Sequence, residues 1–131
     1  MKIPNAKTFS PQVLRTFASE ICADDTEIFV ELLGDCARDL RDQYSKLENT
    51  LAEKNWREFN RAAHTLKSTA RTFGSPLVKE LSLQLEAFSE NGVEDSDLPE
   101  LKESMKHLLQ ASKEFEDKIV GLAASPEAFL D

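Results

Sequence analysis

Apolar side chains recur along the chain at spacings of three and four, the period of one helix face, and no stretch alternates apolar with polar as a strand would. Ser10-Pro11 caps a short helix with Val13, Leu14, Phe17 and Ile21 on its inner side, ending near Ala23. Asp24 and Glu27 make a capping box for a long helix to about Lys54, along which Phe29, Leu33, Cys36, Leu40, Gln43 or Tyr44, Leu47 and Leu51 face inward. A second box, Asn55 with Glu58, opens a helix striped by Trp56, Phe59, Ala63, Leu66, Ala70 and Phe73, and Gly74 closes it.

Ser75-Pro76 starts the next helix at once, with Leu77, Leu81, Leu85 and Phe88 inward and Asn91-Gly92 as the stop. Asp97 and Glu100 cap a last helix through Leu101, Met105, Leu108, Ser112, Phe115, Ile119 and Leu122, which Gly121 and Pro126 end. The pattern predicts an all-α fold, an antiparallel four-helix bundle with a short additional N-terminal helix across one end, aided by Phe9. The ordered bundle spans about residues 10–122 and the tail, 123–131, is loose.

Composition narrows the function. A chain of 131 residues with 40% hydrophobic content fits a single domain, 1–131, with one core. No apolar run approaches a membrane span and the N-terminus lacks a signal pattern, so a soluble, cytoplasmic protein is expected. Cys22 and Cys36 lie within or beside apolar stripes without metal-ligand spacing and read as buried thiols.

A net charge of −8 argues against nucleic acid as a partner. Against that acidic background, the stretch from Asn55 to Arg71 carries Arg57, Arg61, Lys67 and Arg71 against Glu58 alone. Such a basic island suits a partner with an acidic cleft.

His64 stands inside that island. At about 100° per residue, Asn60, Lys67, Ser68 and Arg71 all fall within about 60° of it around the helix axis, apart from the apolar stripe. An imidazole is largely neutral and nucleophilic at cellular pH, and a lysine and an arginine one and two turns on can neutralise a phosphoryl group attached to it. No serine, cysteine or carboxylate pair is arranged with it as in a hydrolase. His107 lacks such neighbours and reads as a solvated surface histidine, and the chain has neither a phosphate-cradling loop for ATP nor carboxylates spaced for a metal.

The string AHTLKSTARTFGSPLVKELSLQLE, residues 63–86, resembles the signature of histidine-containing phosphotransfer (HPt) domains. By that likeness His64 is the phosphorylated histidine, Lys67 the motif lysine, Gly74 the helix-ending glycine and Glu86 the closing acid. Ser68 stands where glycine is usual, and Ser75 where alanine is.

The resemblance implies a phosphorelay intermediate rather than an enzyme with its own ATP site. His64 takes a phosphoryl group from a receiver-domain phosphoaspartate at Nε2 and passes it to another receiver aspartate. Lys67 and Arg71 offset its charge, while Asn60, Arg61 and Ser68 border the partner. The partners implied are receiver domains of response regulators or hybrid histidine kinases; this chain binds no cofactor, and Mg2+ belongs to the receiver. A monomer is expected. The alternatives are a non-covalent helical adaptor using the same face, and a phosphorylation domain belonging to a larger kinase; Met1 favours a free-standing protein.

Overall fold

The computed structural model describes residues 2–130; Met1 and Asp131, the last residue of the expected tail, lie outside them. Four long helices form the bundle: α2 (Thr26–Glu53), α3 (Trp56–Phe73), α4 (Pro76–Phe88) and α5 (Leu98–Ala124). A short α1 (Pro11–Glu20) precedes them and a shorter α6 (Pro126–Leu130) follows. α3 packs between α2 and α4, and α5 closes the ring against those same two helices. No strand occurs among the described residues.

The connections are set by local chemistry. Ser10 accepts from the Val13 N–H with Pro11 in the first turn of α1, and Ser75 accepts from the Val78 N–H at 3.2 Å with Pro76 in the same place in α4. Asn55 accepts from the Glu58 N–H at 3.3 Å, beginning α3 directly after Lys54 turns left-handed. Two-residue links of this kind leave successive helices antiparallel.

Gly74 is required twice over. Its φ of +96° lies in the left-handed region, and a Cβ there would sit 2.8 Å from the Ser10 carbonyl oxygen. That closeness arises because the Ser10 N–H donates to the Gly74 carbonyl at 2.7 Å, which ties the entry to α1 onto the α3–α4 turn.

The predicted stripes of the four long helices form the core, with additions. Phe29, Leu33, Leu40, Leu47, Phe59, Leu66, Leu85, Leu101, Leu108 and Phe115 are fully buried; on α2 Gln43 is buried and Tyr44 also packs against the core, its hydroxyl donating to the Met105 carbonyl at 3.2 Å. Ala62 and Val78 join them. Both cysteines are buried and free, and burial pushes both thiols up.

Several boundaries differ from expectation. α1 ends at Glu20, and the left-handed Ala23 and Asp24 move the cap of α2 to Asp25, which accepts from the Ile28 N–H at 3.1 Å. α4 ends at Phe88, before Asn91-Gly92, with the Ser89 hydroxyl on the Leu85 carbonyl at 2.7 Å. Asp97 stands at the head of α5 without a side-chain capping bond, after a 3-10 turn Asp95–Asp97.

Gly121 does not end α5, which runs to Ala124; a single helical glycine costs only about 1 kcal/mol. The segment expected to be a loose tail instead folds into α6, because Phe129 stacks on Phe29 at 6.0 Å and lies 6.5 Å from Phe9. Val13 and Ile21, expected inward, are 38% and 65% exposed, so α1 anchors through Leu14, Phe17 and Ala18. No helix is long and apolar enough to cross a membrane among the described residues.

Candidate functional site

His64 projects from the middle of α3 with its side chain 60% exposed. The stripe Phe59, Ala63, Leu66 and Ala70 is wholly buried, so the opposite face of the helix must turn outward. α4 runs back alongside, and it brings Glu86 to the same height: His64 lies ten residues before Gly74 and Glu86 twelve after it.

One Glu86 carboxylate oxygen meets His64 Nδ1, and the other accepts from Lys67 Nζ at 2.6 Å. Glu86 and Lys67 are 20% and 18% exposed, far less than the ring they flank. Burial raises the affinity of Glu86 for a proton, but the hydrogen bonds from Lys67 and His64 and the charges on both outweigh it. The carboxyl is held below its ordinary value.

An ionised carboxylate can only accept hydrogen bonds, so the ring must present N–H at Nδ1. In the neutral imidazole the lone pair then lies on Nε2, on the far side of the ring from Glu86. A carboxylate from a neighbouring helix therefore selects the tautomer and leaves one nitrogen of an exposed ring free for bond formation.

The other predicted residues divide into two groups. Ser68 and Arg71 share the His64 face: the Ser68 hydroxyl donates to the His64 carbonyl at 3.2 Å, and Arg71 is exposed with no ion pair among the described residues. Arg61 is exposed too, 3.5 Å from Glu58. Asn60 instead turns inward, its amide donating to the Glu86 carbonyl at 2.6 Å. Lys67 is likewise committed within the fold rather than extended into solvent.

From the sequence alone Glu86 is the closing acid of the motif and not a member of the site. The signal was available, since two antiparallel helices sharing a tight turn bring residues equidistant from that turn together. Beyond Arg71, the exposed Thr72 joins Val13, Phe17 and Ile21 around an open depression of about 480 Å³.

Fold and site together define a class: a helical bundle that offers one oriented histidine, backed by an acid and a lysine, on an open surface. The Hpt domain family model matches residues 31–117, and the chain belongs to that family. Its members are phosphoryl carriers of phosphorelays that work with receiver domains and hold no ATP site of their own. No curated protein and no solved structure gives a significant match.

Proposed function

We propose that this protein accepts a phosphoryl group on His64 Nε2 from the phosphoaspartate of one receiver domain and passes it to the aspartate of another. The Nε2 lone pair attacks phosphorus, the P–O bond to the aspartate breaks, and the receiver recovers its carboxylate. The phosphorylated ring keeps its Nδ1 proton and so carries positive charge, which the Glu86 carboxylate stabilises. The return step reverses the same bonds.

Transfer through a loose transition state needs mainly alignment and charge neutralisation. Lys67 is the nearest cation, and Arg71 lies one turn beyond it on the exposed face. Arg61 and Ser68 border the approaching receiver, which supplies Mg2+. One such face serves one receiver at a time, so a monomer suffices.

The observation that carries this reading is the pairing of an open ring with a Glu86 carboxylate engaged at Nδ1. Incubation with a panel of phosphorylated receivers should place an acid-labile phosphoryl group on His64, whereas ATP and Mg2+ alone should not. A folded protein that no receiver labels, and whose face nonetheless binds one, would be an adaptor.

A further inference from the structure

Glu86 sits in the last turn of α4, where backbone carbonyls have no partner further along the helix. The Leu85 carbonyl is met by the Ser89 N–H at 3.0 Å and by the Ser89 hydroxyl at 2.7 Å. The Glu86 carbonyl has only a long contact of 3.4 Å from the Ser89 hydroxyl on its own side, and its short bond comes from across the interface, from the Asn60 amide at 2.6 Å. The same amide lies 3.3 Å from the Ser89 hydroxyl, itself buried.

Asn60, His64 and Lys67 fall at i, i+4 and i+7, on one row of α3. That row grips a single residue of α4 at both ends: Asn60 holds the backbone of Glu86, and His64 and Lys67 hold its carboxylate. Without the backbone bond, a frayed α4 terminus would let the carboxylate shift relative to the ring.

On the reading of His64 as phosphoryl acceptor, on which this rests, we propose that Asn60 is a positioning residue that acts through Glu86. Its amide fixes the end of α4 against α3, and so keeps the proton on Nδ1 and Nε2 free. It does not touch the phosphoryl group.

The test is a double-mutant cycle with Asn60→Ala, Asn60→Asp and Glu86→Ala in the full chain, with two readouts. One is the His64 tautomer by nitrogen NMR. The other is the rate of labelling by phosphoramidate, where Nε2 attacks phosphorus, the P–N bond breaks and ammonia leaves. Melting temperature monitors the fold.

Asn60→Ala and the near-isosteric Asn60→Asp should fold, lose the preference for Nδ1–H and label about tenfold more slowly, an effect of ring and carboxylate misplacement. With Glu86 already replaced, the Asn60 substitutions should change the labelling rate by less than about twofold, since coupled positions are not additive. Equal effects in both backgrounds would overturn the proposal, as would an unchanged tautomer in a folded Asn60→Ala protein, or loss of the fold in both Asn60 variants. If the tautomer responds as described but neither phosphoramidate nor any receiver labels His64, the acceptor reading fails while the coupling of Asn60 to the ring stands.

Discussion

The chain has two histidines, each beside a glutamate, and the contrast between them shows what separates a reactive ring from an ordinary one. Glu103 is on the same helix as His107, one turn earlier, 3.7 Å from Nε2 and 62% exposed; Lys106 lies 3.6 Å from it as well. Water competes for Glu103 and Lys106, both largely exposed, so the cluster contributes little. His107, expected to be a solvated surface residue, is only partly so, for its side chain is 35% exposed and lines a cavity together with Ile3. His64 has the reverse arrangement, an open ring over a partly buried acid contributed by another helix. Tertiary structure sets the second geometry and holds it; a flexible i, i+4 pair sets the first.

The sharpest way to break the comparison is to remove each histidine in turn. His64→Gln should abolish labelling by a phosphorylated receiver, and His107→Gln should leave it unchanged with the fold intact. Autoradiography of the two variants, checked by circular dichroism, decides between them. Labelling that disappears with His107 would reverse the assignment.

Next in size is Glu86→Gln, which keeps the shape but removes the charge that selects the tautomer. Loss of a charge-assisted hydrogen bond costs about 1.5–3 kcal/mol, or about ten- to a hundredfold in single-turnover rate. A pH series sharpens the point. The folded Glu86 carboxyl is depressed below its ordinary 4.5, so its contribution to stability is present above that value and fades as pH falls through the folded pKa. The parent's melting advantage over Glu86→Gln should therefore be constant at neutral pH and shrink in acid below about 4.5. An advantage that grows in acid would mean that the carboxylate is not stabilised by His64 and Lys67.

Much of this organisation is legible in the sequence, for definite reasons. Caps at Ser10, Asn55 and Ser75 are short-range chemistry, as is the stop at Gly74, and the apolar stripes follow from periodicity alone. Whatever depends on a distant partner is less visible. Phe129 orders the chain's end only because Phe29 and Phe9 are there to receive it. Asn60 reads as surface on a helical wheel, but the neighbouring helix end supplies a carbonyl that needs a donor. Val13 and Ile21 fit an inward stripe, yet a ten-residue helix laid across a bundle buries a narrower strip, Leu14, Phe17 and Ala18.

Lys67→Ala should have an intermediate effect, and its side-chain burial changes what the substitution tests. A fully exposed lysine could be removed with little effect on folding, whereas Lys67 is partly covered and ion-paired to Glu86. Its loss should cost about 1 kcal/mol of stability, between the values for exposed and buried pairs. The transfer rate should fall further, by about tenfold or more, because the phosphoryl group loses its nearest cation. Denaturant titration with single-turnover transfer separates the two effects. A rate that falls no more than stability predicts would leave Lys67 as a support for Glu86 and nothing else.

The smallest expected effect belongs to Ser68, one turn beyond His64. Its hydroxyl folds back onto the His64 carbonyl at 3.2 Å, so the side chain lies along the helix rather than standing out over the ring. A serine bonded in this way competes with the regular backbone pattern and adds little to helix stability. Ser68→Gly removes that bond and a middling helix former, and should cost about 0.5 kcal/mol or less. Transfer from a receiver should be unchanged within about twofold, since the folded-back hydroxyl neither blocks Nε2 nor holds the carboxylate. Measured on the same receiver, a severalfold loss of rate in a fully folded Ser68→Gly protein would show that the hydroxyl leaves the carbonyl to bond the phosphoryl group. Ser68 would then act with Lys67, not merely leave room for the partner.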